Sequence, residues 1–307
     1  MEIVGKSIIL PLIDSNLNHS DSIELIPGVH VTRLGPQYRE HLQKDKVLIG
    51  GYQRSLERMF VGLSLEPSIA YKKRQLSLAE SLLMAIFVTF TLRLATEVTI
   101  DIPFWLDLST DGLILGCGRT LVRTYRTSPP YTYPLDEGRT HDHIELLRPH
   151  LSSLLHRYLE NPDTDRVIKA LEFASVGFQT LHVPTRIVNQ VTFMEVLFSS
   201  EVQELSFQLA SRISWYLRHS HSHAEREDIF EAVKGIYRMR SEIVHGASGK
   251  NLRALMRQRL KQSEFVNSEI FREMLAHNHI DLFSAKNRKE HLRKLSLGLP
   301  CDFFKKC

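Results

Sequence analysis

The stretch SHAEREDIFEAVKGIYRMRSEIVHG, residues 222–246, carries the signals that decide the fold of the C-terminal half of the chain. Ser222 and Glu225 have the spacing of a capping box, in which each side chain binds a free backbone N–H at a helix start. Gly246 is the residue type that most often ends a helix in the left-handed conformation. The sequence therefore predicts a helix that begins at His223 and stops at Gly246.

One face of this predicted helix is apolar, and an arginine lies on it. Apolar residues recur at helical spacing at Ile229, Val233, Ile236, Tyr237, Ile243 and Val244. At about 100° per residue, Arg240 falls on the centre line of that face. Two interpretations stay open. Arg240 either has a structural role, in which it snorkels to solvent or pairs with a core carboxylate such as Glu195, or it turns into a cleft or subunit interface and binds phosphate.

Arg240 and His245 combine a permanent cation with an imidazole that transfers protons near neutral pH. With 25 arginines and 15 histidines in 307 residues, chance predicts about one Arg-x4-His spacing. The chain has three such pairs: Arg218 with His223, Arg240 with His245, and Arg272 with His277. The context favours the second pair, because the first flanks a loop and the third lacks a glycine stop.

The geometry of a straight helix separates the favoured pair. His245 lies about 140° round the helix axis from Arg240. The two side chains therefore meet at one phosphate only if the helix end opens, or if a second subunit contributes its own pair. At a helix C-terminus, the helix dipole also favours the protonated imidazole, as a general acid requires.

Composition restricts the classes of protein. The chain is 43% hydrophobic and 24% charged, with a net charge of +4, which permits a nucleic-acid partner. Its three cysteines have no paired spacing and favour a reduced, cytoplasmic protein. The apolar run at 82–92 is too short to cross a bilayer, so no membrane role is expected. The alternating His219, His221 and His223 have no carboxylate or cysteine beside them, and neither a metal nor a cofactor is predicted.

The order of patterns predicts two domains. Strand patterns at 22–34 and 98–121 surround a buried helix at 76–94, which predicts an α+β N-terminal domain over residues 1–140 with an unknown role. From residue 141 to 307 the pattern is helical. Helices are predicted at His143–Leu159, Asp165–Leu181, Ile187–Leu217, Ala224–His245, Leu252–Lys261 and Ser268–His277.

Two blocks of this helical part, Glu204–Arg212 and Ile236–Gly246, resemble the ApeA-like HEPN domain family, and the resemblance covers roughly residues 160–280. The resemblance implies an antiparallel helical bundle, usually a homodimer with a shared active-site cleft. It also implies a metal-independent RNA endonuclease of prokaryotic antiviral defence, abortive infection or toxin systems, with an antitoxin or trigger as a further partner.

Carried over by position, the resemblance makes Arg240 and His245 the catalytic pair, with Ser241 as the polar residue after the arginine. Glu204 and Arg212 match the upstream block as supporting residues, and Glu195 is the candidate counter-ion. Two other functions are weighed beside the ribonuclease. One is a non-catalytic HEPN module that binds RNA, nucleotide or a partner protein, and the other is a structural protein that assembles through the apolar segment at 295–304.

Overall fold

The computed structural model describes residues 7–12, 23–26, 29–33, 61–65, 70–71, 74–75, 78–96, 104–108, 114–119, 137–160, 163–200, 205–246, 252–284 and 288–299. The chain divides into two compact units. The first comprises Met1–Thr124 and Tyr131–Leu155, and the second comprises Tyr125–Pro130 and His156–Cys307. The main division therefore lies between Leu155 and His156, whereas the sequence predicts a boundary at residue 140.

In the first unit the backbone forms eight short strands, β1 to β8, at Ser7–Leu12, Ile23–Ile26, Val29–Arg33, Val61–Leu65, Ala70–Tyr71, Arg74–Gln75, Phe104–Leu108 and Ile114–Arg119. Six of them pair in the order β2-β3-β4-β1-β7-β8, and each neighbouring pair is antiparallel. Strands β5 and β6 pair separately. Two strand side chains, Leu25 of β2 and Val29 of β3, are described by the structure, and both are buried.

The predicted α+β class of the N-terminal domain is wrong. Where the structure describes side chains, the chain is 87% helical, and this part is compatible with an all-α fold. An α+β domain is defined by a sheet face packed against helices. Strands that pair along their backbones do not by themselves provide a sheet face packed against helices. Alternating apolar residues between Pro and Gly predict strands locally, but they do not determine what the strands pack against.

Helix α1, Leu78–Thr96, is buried along most of its described length. Its polar residues Thr89 and Thr91 donate their hydroxyls to the carbonyls of Ala85 and Phe87, so that they enter the core without unpaired groups. A buried helix was predicted at 76–94, and the burial confirms it. Among the described residues, no helix is long and apolar enough to cross a membrane.

The second unit is helical over its described residues, as the sequence predicts from residue 141 onward. Helix α2, Glu137–Glu160, passes from the first unit into the second. The helices that follow are α3 at Arg166–Gln179, α4 at Val183–Phe198, α5 at Leu205–Tyr216, α6 at His223–Val244, α7 at Leu252–Ala276, α8 at Ile280–Ser284 and α9 at Arg288–Ser296. A 3-10 turn at Leu217–His219 continues α5.

Helix α4 is the central element of the second unit, because it packs against α3, α5, α6 and α7. Its buried side chains include two polar residues, and α7 provides a hydrogen-bond partner to each. Arg186 donates to Glu264 at 2.5 Å, and Asn267 donates to the backbone and side-chain oxygens of Gln190 at 3.0 and 2.6 Å. These polar contacts fix the register of α4 against α7, and α6 packs on both helices.

Candidate functional site

Helix α6 begins where the sequence predicts. The Ser222 hydroxyl accepts the Glu225 N–H at 3.4 Å, and the Glu225 carboxylate accepts the Ser222 N–H at 2.8 Å. Both halves of the capping box are therefore present, and the first helical residue is His223. The hydrogen bonds from Ser222 lower the pKa of the Glu225 carboxyl. The predicted start of the helix is confirmed.

The end of α6 is also confirmed, and its geometry shows why a glycine is needed. His245 is the C-cap residue, and its N–H donates to the Ser241 carbonyl at 3.0 Å. Gly246 has a φ of +73° and donates to the Ile243 carbonyl at 3.2 Å. A Cβ at this position would meet nothing within 4 Å. The glycine is thus required for its left-handed backbone and not for space.

Arg240 is half-buried on the face of α6 that packs inward. That face is buried at Ile229, Val233, Ile236 and Met239, but Val244 is 56% exposed. The apolar face is therefore one turn shorter than the sequence predicts, and Arg240 lies near the point where it reaches solvent. The Arg240 Nε atom is buried and has no hydrogen-bond partner among the described residues.

The immediate neighbours of Arg240 are one aromatic ring and one carboxyl group. The guanidinium carbon is 6.0 Å from the centroid of the Tyr237 ring, one turn earlier on α6. On α4, burial raises the pKa of the Glu195 carboxyl, while the charge of Arg240 and a hydrogen bond with Tyr237 lower it. Burial and the charge of Glu195 raise the pKa of the Tyr237 hydroxyl. We call Glu195, Tyr237 and Arg240 the arginine cluster.

No direct ion pair joins Arg240 to Glu195 among the contacts of the described residues. Glu195 influences Arg240 through charge at a distance, and Tyr237 contacts both. The guanidinium is thereby positioned without being neutralised by a paired carboxylate. This arrangement leaves its charge able to bind a phosphate oxygen at the edge of the buried face.

His245 and Ser241 lie at the solvent side of this cluster. His245 is exposed, and Ser241 is half-buried. The one contact that links them is the hydrogen bond from the His245 backbone to the Ser241 carbonyl. The structure therefore brings Glu195 to Arg240, and it leaves the His245 imidazole at the helix end. The separation expected from a straight helix holds within one chain.

The other two predicted site residues have different positions. Glu204 lies outside the described residues. Arg212 is only 4% exposed, and its guanidinium donates to the Phe198 carbonyl and the Ser296 hydroxyl, each at 2.7 Å. Those bonds tie the end of α4 to α9, which is a structural role. Nothing in them connects Arg212 with the arginine cluster.

Two more arginines, which the sequence does not single out, bind the C-terminal end of α4. Arg288 donates to the carbonyls of Leu197 and Ser199 at 2.7 Å, and Arg166 reaches the Val196 carbonyl at 3.4 Å. Burial and the charges of Arg166 and Arg212 lower the pKa of Arg288 to about 10. Cations at a helix C-terminus bind carbonyls that have no partner within the helix. These arginines stabilise α4, on which Glu195 lies.

The sequence reasoning missed two further features. Tyr237 was assigned only to the apolar face, although a hydroxyl beside a half-buried arginine is a signal of a polar cluster. Two histidines that the sequence does not connect also come together in space, since the His219 and His277 rings are 5.7 Å apart. Within the described part of the chain, no group of three or more His, Cys, Asp or Glu residues could hold a metal ion.

The predicted assembly segment divides between the core and the surface. Leu295 is buried in α9, whereas Leu297 and Leu299 are exposed. Residues 300–304 lie outside the described residues. Among the described residues of this segment, Leu297 and Leu299 offer exposed apolar surface for assembly.

Comparison of the chain with family models, with curated proteins and with solved structures found no match. The residues of α6 and their neighbours are therefore the observations from which a function can be inferred.

Proposed function

We propose that this chain is a metal-independent RNA endonuclease of the HEPN type, with Arg240, His245 and Ser241 in its active site. The observation that carries the proposal is the partial burial of the Arg240 side chain and the lack of a direct ion pair among the described residues. A half-buried guanidinium, with a buried Nε that has no hydrogen-bond partner among the described residues, lies five residues before an exposed histidine at a helix end. A half-buried guanidinium that no carboxylate of the described residues neutralises directly keeps its charge for a phosphate oxygen.

The chemistry that this pair supports is transesterification. The ribose 2′-oxygen forms a bond to the adjacent phosphorus, and its proton passes to an imidazole acting as a base. The bond from phosphorus to the 5′-oxygen breaks, and that oxygen takes a proton from an imidazolium acting as an acid. The products are a 2′,3′-cyclic phosphate and a 5′-hydroxyl. Arg240 stabilises the charge that develops on the phosphate oxygens.

Two proton-transfer groups are needed, and each chain supplies one His245. We therefore propose a homodimer in which two α6 ends meet at a shared cleft, with one His245 as base and the other as acid. Val244 beside the site is exposed and would contribute apolar surface to such a contact. Ser241 then donates to a phosphate oxygen. The cytoplasmic location rests on the cysteine pattern. The role as a defence effector and control by an antitoxin or trigger rest on the family resemblance.

One observation favours a second candidate function, a non-catalytic module that binds RNA, nucleotide or a protein. Arg240 is coupled by charge to Glu195 and contacts Tyr237, as an arginine with a purely structural role would be. In that case the arginine cluster would hold α6 against α4, and His245 would serve only as the helix cap.

The two functions are separated by incubating RNA with the protein in EDTA. We expect cleavage by the wild type and none by Arg240→Met, which keeps an unbranched apolar stem, or by His245→Ala. Arg238→Met and His223→Ala are matched controls, since both residues are exposed on the same helix, and both should cleave normally. Cleavage that requires Mg²⁺, or that survives both site substitutions, contradicts the proposal. RNA that is bound but left intact by the wild type assigns the non-catalytic function.

A further inference from the structure

A second cluster of titratable groups lies between the turn after α5 and the end of α7. The His219 and His277 rings are 5.7 Å apart, and His277 stacks on His279 at 5.4 Å. The Tyr216 hydroxyl lies 3.1 Å from the Nδ1 atom of the buried His279. We call His219, His221, His277 and His279 the histidine cluster. Its members come from two segments that are more than fifty residues apart in the sequence.

Carboxylates hold the buried side of this cluster. The His277 Nε2 atom is 3.2 Å from the carboxylate of Glu273, which is 3% exposed. The His221 Nε2 atom is 3.4 Å from the Glu269 carboxylate, which also binds Arg272. Burial raises the pKa of Glu273, and the charges of His277 and His221 oppose that shift. These contacts orient His221 and His277.

The exposed side of the cluster is rich in positive charge. His219 is exposed, and Arg218 beside it donates to the Trp215 carbonyl at 3.1 Å. The Arg218 guanidinium also lies over the Trp215 ring, 5.2 Å from its centroid. Partial burial lowers the pKa of His219, and the positive charges of Arg218 and His277 lower it further. Protonated His219 is therefore repelled by its neighbours.

We propose that Arg218, His219 and His277 bind a phosphate group of the RNA backbone, at a site separate from Arg240 and His245. An anion between these groups would offset the repulsion among three positive charges and would accept hydrogen bonds from them. The identity of the ligand as RNA rests on the proposed function. Binding of phosphate itself rests only on the geometry of the cluster.

Binding of the anion and of a proton must be linked. Because a phosphate favours the charged form of His219, it raises the pKa of that imidazole, and by reciprocity acid strengthens phosphate binding. The charged groups on both sides of the cluster determine how strongly phosphate binds at a given pH. Arg218 and Arg272 carry positive charge, Glu269 and Glu273 oppose it, and His219 gains charge as the pH falls. Affinity is expected to rise as the pH falls below about 6.5, the ordinary histidine value, because burial and neighbouring charges hold the pKa of His219 under it.

The first test follows the histidine ring protons by NMR in the full-length Arg240→Met variant, which binds RNA without cutting it under the proposed mechanism. We expect both inorganic phosphate and single-stranded RNA to raise the pKa of His219. The exposed His156 on α2 serves as the internal control and should not move. A pKa of His219 that changes with neither ligand overturns the proposal. A shift with phosphate but not with RNA overturns the assignment to RNA.

The second test measures RNA affinity against salt at pH 6. Each phosphate contact that is lost reduces the slope of log Kd against log salt by about one. Arg218→Gln and His219→Gln should each produce that loss, and Arg253→Gln, an exposed charge on α7, should not. Equal slopes for all variants overturn the proposal. A protein that binds RNA in this way but cuts none refutes the ribonuclease activity and leaves the phosphate site standing.

Discussion

Glu195 of α4 and Arg240 of α6 lie within range of each other's charge, but they form no direct ion pair among the described residues. Tyr237 mediates between them, through its ring toward Arg240 and its hydroxyl toward Glu195. The guanidinium is therefore fixed in place and keeps its charge available. The position of Glu195 depends in turn on α4, whose C-terminal carbonyls are capped by Arg166, Arg212 and Arg288.

The carboxyl of Glu195 predicts a specific dependence of stability on pH. Burial raises its pKa in the folded protein above the unfolded value of about 4.3. Its contribution to stability is then fully present below that value, and it is lost as the pH rises through the folded pKa. The glutamine side chain of Glu195→Gln resembles the neutral carboxyl, so this variant keeps that contribution to stability as the pH rises.

The unfolding free energy of Glu195→Gln relative to the wild type is therefore expected to increase between pH 4 and pH 7, as measured by urea denaturation. Glu227→Gln, an exposed substitution on α6, should show no such trend. A variant that becomes less stable than the wild type as the pH rises would show that Glu195 acts mainly as a stabilising counter-ion of Arg240.

The glycine stop of α6 predicts an effect on activity that can be separated from stability. Gly246→Ala places a side chain in a left-handed conformation, which costs about 1–2 kcal/mol. Gly298 has a φ of +64° at the end of α9, and Gly298→Ala carries the same penalty. Both variants should lose similar stability in thermal denaturation. Only Gly246→Ala should lower RNA cleavage severalfold, because the cap at His245 changes. Equal activity of the two would mean that the helix stop does not position the imidazole.

The link between α4 and α7 predicts a large loss of stability. Arg186 is 1% exposed and Glu264 is 21% exposed. Removal of one partner from a buried pair is strongly destabilising, and Glu264→Ala should cost about 3 kcal/mol. Glu231 pairs with Lys234 on the surface of α6, and Glu231→Ala should cost less than about 1 kcal/mol. Urea denaturation measures both. If Glu264→Ala costs less free energy of unfolding than the surface control, this pair does not stabilise the fold as claimed.

Features that depend on neighbours in sequence were predictable. The capping box of α6 and its glycine stop involve residues at most three apart, and both were located correctly from Ser222, Glu225 and Gly246. The position of Arg240 on the inward face follows from helical periodicity alone. Its partner Glu195 could be named as a candidate because the preceding helix has its own apolar face.

Features that depend on distant contacts were not predictable. A single helix was expected over residues 187–217, but α4 ends at Phe198, where Arg288 from the far end of the chain binds the last carbonyls. Two helices were expected within residues 252–277, but α7 is continuous. Its buried Asn267 finds a partner in Gln190, so that the polar stretch remains in the core. The histidine cluster was missed for the same reason, since His219 and His277 meet only in the folded chain.

The central claim is that Arg240 and His245 cut RNA by way of its own 2′-hydroxyl. The most direct measurement compares an RNA with a fully 2′-O-methylated RNA of the same sequence, both in EDTA, followed by analysis of the product ends. The account predicts that the RNA is cut to 2′,3′-cyclic phosphate ends, that the methylated strand stays intact, and that Arg240→Met leaves both uncut. Cleavage of the methylated strand, or products that carry a 3′-hydroxyl, would contradict it.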